Sequence, residues 1–263
     1  MTTSPEIDLA ADVADGARRM ALSYFRRPLA VDDKADSSPV TVADREIEAY
    51  MRARIAETFP GHGIFGEEQD PERLEASEIW VVDPIDGTKS FVTGHPLFGN
   101  LMALLKGGRP VLGQIEMPAL GERWQGAAGQ PTLFNGAPCR TSSCTELSAA
   151  LAYTTDPMLF EGDDLKVYDL LRRSVRLLRF GGDCYNYGLL ASGHCDLVLE
   201  IGLQPYDYLP LVQVIEGAGG VITDWDGQPL GLDSRGDVLA SATPELHGKM
   251  LDRLAQTRAA VPA

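Results

Sequence analysis

The segment from Asp83 to Thr88 combines the residue types that metal and phosphate chemistry requires. It reads Asp-Pro-Ile-Asp-Gly-Thr and follows the apolar run 79–82, so we expect a buried strand that ends in a proline turn. Asp83 and Asp86 can then face one point together with the freed carbonyl of Ile85. Oxygen ligands in such a set suit a hard cation, above all Mg²⁺. A solvated Asp-Gly turn is the alternative, and this segment alone does not decide between the two.

Gly87 and Thr88 end the same segment. If a helix begins there, the backbone N–H groups of both residues have no partner within the helix and lie at its positive end. Such groups favour a phosphate oxygen. The hydroxyl of Thr88 can also align a water molecule.

Acidic residues in three other segments are candidates for the same centre. At least one glutamate of the pair Glu67-Glu68 is presented where a short apolar strand ends, and Asp207 follows a turn at Gln204-Pro205, where a helix is predicted to begin. Asp44 stands three residues after Thr41, which is the spacing of a capping box. Each segment has a local alternative: a surface glutamate pair for 67–68, a helix N-cap for Asp207 and a capping residue for Asp44.

Apolar spacing predicts the elements that would hold these residues. Helices are predicted over 9–24, after 41 to before 60, and over about 165–178, 184–192, 205–216 and 244–258. Strands are predicted over 79–82, 99–105, 111–117, 196–201, 221–225 and 238–240, with a hairpin around 106–110. Helices and strands alternate, which predicts mixed sheets covered by helices.

The composition limits the kinds of partner. The net charge of the 263 residues is -15, which argues against nucleic acid and requires cations beside a phosphate substrate. No apolar run approaches the roughly 20 residues that span a bilayer, and the first residues lack a signal pattern, so we expect a cytoplasmic protein without membrane contact. The four cysteines form no CxxC pair, which favours reduced thiols.

Together these segments resemble the inositol monophosphatase superfamily over nearly the whole chain and in the same order. The string 83–88 after the strand that begins at Trp80 is the most specific part of the match. The resemblance implies an α+β fold, the layered αβαβα sandwich of the inositol monophosphatase and fructose-1,6-bisphosphatase type. Residues 1–263 would form a single phosphatase domain, with an N-terminal metal-binding α+β half (about 1–140) and a C-terminal α/β half (about 141–263). Relatives are commonly homodimers, and we expect one here.

The resemblance also implies a set of metal ligands. Glu67, Asp83 and the carbonyl of Ile85 would bind a first Mg²⁺, whereas Asp83, Asp86 and Asp207 would bind a second. A third and weaker ion would use Glu67, so that the site would take two to three ions. Carboxylates about 4 Å apart repel by about 1 kcal/mol in water and about 4 kcal/mol at a protein-like dielectric constant. Four of them converge only if cations neutralise them.

Other roles follow from the same resemblance. Gly87 and Thr88 would bind the phosphate, and Asp44 would hydrogen-bond Thr88 and help to polarise the attacking water. The implied catalytic residues are therefore Glu67, Thr88 and Asp44. Lys34 aligns with a lysine near the metal-bound waters of the family, although an ordinary loop lysine is the alternative.

Three strings in the C-terminal half resemble the histidinol-phosphatase branch, namely 153–157, 181–187 and 203–209. Inositol phosphatases usually have Trp-Asp-x-Ala where this chain has Tyr-Asp-Tyr-Leu around Asp207, so the resemblance to polyol phosphatases is weaker. Histidinol phosphate carries an ammonium and an imidazole. We hypothesise that Glu200 faces the amine and that Asp183 lies near the imidazole or supports that wall, with Asp207 also touching substrate. A surface acid and a helix N-cap are the alternatives for Glu200 and Asp183.

The expected reaction is hydrolysis of a small-molecule phosphate monoester, histidinol phosphate, by in-line attack of a metal-activated water. The sequence offers no Gly-x-Ser-x-Gly elbow and no HExxH pair. An inositol-1-phosphatase or a broader sugar- and nucleotide-phosphate phosphatase would use the same metals. A regulatory binding protein without catalysis is the alternative from another class.

Overall fold

The computed structural model describes residues 4–28, 31–33 and 39–259, so Lys34 lies outside the described residues. The helices over these residues are α1 (Pro5–Tyr24), α2 (Val42–Thr58), α3 (Thr88–Val92), α4 (Asp164–Ser174), α5 (Tyr185–Ala191), α6 (Pro205–Gly217) and α7 (Pro244–Ala259). None of them could cross a lipid bilayer, since each is too short or too polar.

The strands form two large sheets and one small pair. The seven-stranded sheet has the spatial order β3 (Gly63–Gly66), β4 (Glu78–Asp86), β5 (Gly99–Lys106), β6 (Arg109–Met117), β7 (Glu122–Ala127), β8 (Leu133–Phe134), β9 (Ala137–Pro138). The five-stranded sheet has the order β11 (Leu177–Phe180), β10 (Leu151–Thr154), β12 (Leu197–Glu200), β14 (Val238–Ser241), β13 (Val221–Asp224). The antiparallel pair is β1 (Val31–Asp33) with β2 (Pro39–Thr41).

Three apolar clusters join these elements into five layers. The first lies between α1 and α2 and one face of the seven-stranded sheet. The second fills the space between the two large sheets, where α5 and α6 lie. The third covers the far face of the five-stranded sheet with α4 and α7. Neighbouring residues of β4 alternate between clusters, with Trp80 in the first and Val81 in the second, as a strand with both faces buried requires. The predicted αβαβα sandwich is confirmed.

The predicted turn at Pro84 is wrong. Strand β4 continues to Asp86, with Asp83 paired to Leu101 and Asp86 paired to Gly99, and the register shifts between them. Two side chains stabilise this bulge: the carboxylate of Asp83 accepts the N–H of Ile85 at 2.9 Å, and the amide of Asn100 donates to the carbonyl of Pro84. The bulge, rather than a chain reversal, brings both aspartates to one side.

The helix predicted over 165–178 ends earlier than expected. Helix α4 stops at Ser174, and Leu178 lies in β11, which pairs in parallel with β10 at the edge of the sheet. The apolar spacing continued through Leu178 by coincidence, and pairing with a distant strand determined the local structure. Strands β7 and β10 were not predicted.

The two large sheets draw on separate parts of the chain, 63–138 and 151–241. Helix α6, from the second part, packs against the strands β4 to β7 of the first. The division into halves near residue 140 stays a prediction.

Candidate metal centre and the cavity beside it

Asp83, Asp86 and Asp207 form a compact acidic cluster. Each offers a carboxylate oxygen, and these oxygens all lie within 4.8 Å of one another. Two of the acids come from the bulge of β4 and the third from the first turn of α6. Residues more than 120 positions apart in the sequence therefore meet at one point, as the sequence predicted.

Asp207 reaches the cluster because α6 lies directly on the seven-stranded sheet. A Cβ at Gly113 would stand 2.1 Å from the carbonyl oxygen of Pro210, and one at Gly126 would stand 2.1 Å from that of Gln213. Only glycine permits this approach. Asp207 also caps its own helix, because Oδ2 accepts the N–H of Gln204 at 2.7 Å. It is the third helical residue rather than the N-cap itself, and capping and clustering occur together.

Glu67 joins the cluster from the loop after β3. It hydrogen-bonds Asp83, and its charge acts on both Asp83 and Asp207. The ring of Phe65 stacks with that of Tyr206 at a centroid distance of 6.2 Å, which connects the end of β3 to the start of α6. The structure thus brings together all four acids that the sequence singled out as metal ligands.

The proton affinity of the cluster reflects its crowding. Burial raises the pKa of Asp83 well above its usual range, and the charges of Glu67, Asp86 and Asp207 raise it further. Burial also raises the pKa of Asp207, with the charge of Asp86 next in importance. For Asp86 burial again raises the pKa, although hydrogen bonds from the thiol and the N–H of Cys184 and from the N–H of Gly87 oppose this effect. The ionised cluster is therefore unfavourable unless a cation accompanies it.

The donor chemistry of this cluster fits a hard divalent cation. The acids supply only oxygen, and Ile85 lies in the same bulge, with its carbonyl oxygen 3.1 Å from the hydroxyl of Thr88. Such a set suits Mg²⁺ better than zinc or copper, which prefer imidazole or thiolate ligands.

Thr88 and Asp44 lie next to this centre. The hydroxyl oxygen of Thr88 is 3.1 Å from the carbonyl oxygen of Ile85 and 3.5 Å from Oδ1 of Asp44. Asp44 also completes the capping box of α2, since its Oδ2 accepts the N–H of Thr41 at 2.8 Å. The capping prediction is confirmed, and the same carboxylate approaches Thr88 with its other oxygen.

Gly87 begins α3 in a left-handed conformation, with φ of 80°. A Cβ there would stand 3.0 Å from Oδ2 of Asp183. The predicted helix start at Gly87 and Thr88 is confirmed, although α3 has only five residues.

A cavity of about 380 Å³ opens beside the cluster. Its lining includes Glu67, Asp86, Thr88, Asp183, Glu200 and Asp207. Glu200 is only 2% exposed, so the alternative of a surface acid is wrong for it. The carboxylate of Glu200 accepts the N–H and the hydroxyl of Thr155, both at 2.8 Å. Burial raises its pKa to about 7.

Asp183 lies between Glu200 and the cluster. Its backbone has a positive φ of 47°, and the N-cap of α5 is Cys184, so the N-cap alternative for Asp183 is also wrong. Burial raises the pKa of Asp183 to about 8, with the charges of Asp86 and Glu200 adding to the effect. The cavity wall thus presents two acids that would prefer a cationic neighbour.

Several supporting residues were not predicted. Glu48 and Arg52 hold the loop of Glu67, Asn100 holds the bulge of β4, the N–H of Cys184 donates to Asp86 at 2.7 Å, and Thr155 holds Glu200. One signal was available for the first pair: two charged residues four apart among the inward positions of an apolar helix face.

Comparisons with known proteins give a consistent result. A model of the inositol monophosphatase family matches residues 3–261. The bifunctional phosphatase IMPL2 (chloroplastic) of Arabidopsis thaliana is 46% identical over 251 residues, which cover 92% of this chain and 72% of that protein. A histidinol-phosphatase of Chlorobaculum parvum is 38% identical over 90% of this chain and 93% of its own length. The structure of an inositol monophosphatase from Zymomonas mobilis is similar with a TM-score of 0.88 and 46% identity, over 97% of this chain and all of that one.

Proposed function

Since this chain belongs to the inositol monophosphatase family, whose members are metal-dependent phosphoric monoester hydrolases, we propose that it hydrolyses histidinol phosphate to histidinol and inorganic phosphate with Mg²⁺. The observation that carries this proposal is the pair of acids, Glu200 and Asp183, on the wall of the cavity.

The charge of the cavity favours a cationic leaving group. Among the described residues that line it, Lys89 is the one cation, and its ammonium lies 3.9 Å from Asp156. The charge of Lys89 acts on Asp183 but does not offset the effect of burial on its pKa, and Glu200 has no basic partner among these lining residues. Buried acids without a cation are costly, and the ammonium of histidinol phosphate would supply the missing charge. Glu200, fixed by Thr155, is suited to the amine, and Asp183 to the imidazole side.

The acidic cluster is proposed to hold two to three Mg²⁺ ions, through Glu67, Asp83, Asp86, Asp207 and the carbonyl of Ile85. Bound Mg²⁺ would lower the pKa of a water and neutralise charge on the departing alkoxide. The four acids orient the ions and thereby the phosphate, which is expected to lie against Gly87 and Thr88.

Thr88 and Asp44 are proposed to orient the attacking water. The hydroxyl of Thr88 has two acceptors within reach, the carbonyl of Ile85 and the carboxylate of Asp44. When it donates to either of them, its lone pairs remain to accept a hydrogen bond from the water. This fixes the direction of the water relative to the phosphorus atom.

The similarity to a histidinol-phosphatase over nearly its full length supports this substrate. A second candidate is inositol-1-phosphate, favoured by the similarity to an inositol monophosphatase of known structure. A fixed carboxylate such as Glu200 can also accept hydrogen bonds from the hydroxyl groups of a polyol.

Substrate comparison tests the proposal. Phosphate release is measured at fixed Mg²⁺ from histidinol phosphate, its analogue without the amine, and inositol-1-phosphate, each with and without EDTA. We expect the amine to raise kcat/KM about tenfold or more, as a charge-assisted hydrogen bond does, and EDTA to abolish all turnover. Glu200→Gln should remove most of the preference for the amine. Equal kcat/KM for histidinol phosphate and its analogue without the amine would contradict the proposed substrate. An unchanged KM for histidinol phosphate in Glu200→Gln would also contradict it.

A further inference from the structure

Helix α2 carries three buried charged residues on one side. Asp44, Glu48 and Arg52 are spaced by four positions, and their exposed fractions are 0%, 0% and 5%. Residues four apart lie one above another on a helix. Asp44 reaches Thr88, as described above, whereas Glu48 and Arg52 reach the loop that carries Glu67.

The carboxylate of Glu48 binds the main chain on the far side of Glu67. Its Oε2 accepts the N–H of Glu68 at 2.6 Å, and its Oε1 accepts the N–H of Gln69 at 3.1 Å. Oε1 also accepts Nε of Arg52 at 2.7 Å. Two backbone donors of a loop that belongs to neither a helix nor a strand thus have a buried anionic acceptor.

Arg52 binds the same loop as a hydrogen-bond donor, whereas Glu48 binds it as an acceptor. Its Nη2 donates to the carbonyl of Gln69 at 2.9 Å, and its Nη1 donates to Glu72 at 3.3 Å. The pair therefore contacts both the N–H and the carbonyl of Gln69. This leaves the φ and ψ dihedral angles of the backbone at Gln69 little freedom to change.

Gly66 brings the pair against the near side of Glu67. A Cβ at Gly66 would lie 2.3 Å from Oε1 of Glu48 and 2.9 Å from Nη2 of Arg52. The residues immediately before and after Glu67 are thus both in contact with the pair. The backbone of Glu67 is held from two sides, while its side chain extends to Asp83.

We infer that the Glu48–Arg52 pair is a positioning device that sets Glu67 for cation binding. The inference rests on the proposed function, in which Glu67 is a Mg²⁺ ligand. Groups that orient a metal ligand typically change metal affinity 10- to 100-fold when they are removed. The pair acts on the main chain next to the ligand, which is how it would exert that effect.

The test is to measure Mg²⁺ binding to the Glu48→Gln variant by calorimetry, with the metal alone as the ligand. The substitution keeps the size of the side chain but replaces one acceptor oxygen with an NH₂ group, which opposes one of the three donors. We expect the Kd for Mg²⁺ to rise about tenfold. Hydrogen exchange of the amides of Glu68 and Gln69 should become faster in the metal-free protein, which is a readout independent of turnover.

Glu116→Gln is the matched control. Glu116 is also fully buried and lies in two ion pairs, with Arg18 at 2.5 Å and Arg123 at 2.6 Å, from α1 and β7. Both substitutions should lower the midpoint of thermal unfolding, but only Glu48→Gln should weaken Mg²⁺ binding. An equal change of Kd in both variants would overturn the inference, because it would show a general effect of stability.

Arg52→Lys covers the case in which Glu48→Gln does not fold. It keeps a positive charge beside Glu48 but loses the planar fork that reaches Gln69, so the Kd for Mg²⁺ should also rise.

Glu67→Gln distinguishes failure of the proposed Mg²⁺ ligand from failure of the positioning role of Glu48 and Arg52. If it leaves Kd unchanged, the proposed ligand is wrong and the inference falls with it. If Glu67→Gln weakens binding while Glu48→Gln and Arg52→Lys do not, the inference alone is overturned.

Discussion

Replacing Asp207 with asparagine should stabilise the metal-free protein while it removes tight Mg²⁺ binding. The carboxylate oxygens of Asp83, Asp86 and Asp207 lie within 4.8 Å of one another. Two unit charges at that distance repel by about 3.5 kcal/mol at an effective dielectric constant of 20. Asp207 has two such neighbours, so its charge is strongly unfavourable when no cation is bound.

Proton uptake limits how large the gain can be. An aspartate with an ordinary pKa of 3.8 takes up a proton at pH 7 at a cost of about 4 kcal/mol, since each pH unit corresponds to about 1.4 kcal/mol. Repulsion beyond that amount is relieved by protonation. Asparagine can keep the hydrogen bond from Gln204, which is 2.7 Å long. We therefore expect the free energy of unfolding in EDTA to rise by about 2 to 4 kcal/mol at pH 7.

The gain should depend on pH in a defined direction. Because the fold raises the pKa of Asp207, the stabilising contribution of its protonated carboxyl group is complete below its ordinary pKa and is lost as pH rises towards the raised pKa of the folded state. The difference between the variant and the parent should thus be largest near pH 7 and shrink towards pH 4.

Urea unfolding in EDTA at pH 7 and pH 4.5 measures these changes, and calorimetry measures Mg²⁺ binding. Asp196→Asn is the matched control, since Asp196 is a buried aspartate outside the cluster that accepts the N–H of Leu151 at 2.8 Å and the hydroxyl of Ser142. That variant should lose about 1 to 3 kcal/mol. The reasoning would be refuted if Asp207→Asn were less stable than the parent in EDTA, or if it bound Mg²⁺ equally well.

Three further predictions follow from the same site. In EDTA the free energy of unfolding should fall by about 3 kcal/mol between pH 4 and pH 8 on account of Glu200, because burial raises its pKa from 4.5 to about 7; urea titrations should show that Glu200→Gln lacks this part of the slope. Gly87→Ala should lower kcat/KM about 100-fold in steady-state assays, because the new methyl would meet Asp183. Gly107→Ala should not, since Gly107 also has a positive φ but lies in an open hairpin with nothing near the new methyl. Asp44→Asn should lower kcat about 100-fold with little change in KM if Asp44 orients Thr88; a loss confined to KM would contradict that role.

The sequence was sufficient to predict the acidic cluster because its acids stand in chemically distinctive surroundings. Asp83 and Asp86 occur in one short string, Glu67 follows a short apolar run, and Asp207 follows the turn at Gln204-Pro205. The order of the layers also followed from the alternation of helices and strands together with the family resemblance. Such predictions succeed where the local sequence pattern and the tertiary contacts favour the same structure.

Other features depend on contacts between residues far apart in the sequence and were missed for that reason. Asp83–Asp86 has the composition of a turn, but pairing with β5 and the amide of Asn100 keep it in the sheet. Glu48 and Arg52 have the spacing of an ordinary surface pair on a helix. Their place among the inward positions of α2 was the one available signal, and their contacts with the loop after β3 depend on the tertiary structure.

The two glycines beneath α6 have a consequence for the accuracy of the whole centre. At Gly113 and Gly126 the main chain of the helix touches the main chain of the sheet, with no side chain between them to compress or rotate. A single methyl group at either position would lift the helix and carry Asp207 away from its partners. A misplacement of about 1 Å can cost about 100-fold in rate. These two positions, which have no side chain, therefore determine how accurately Asp207 is placed relative to Asp83 and Asp86.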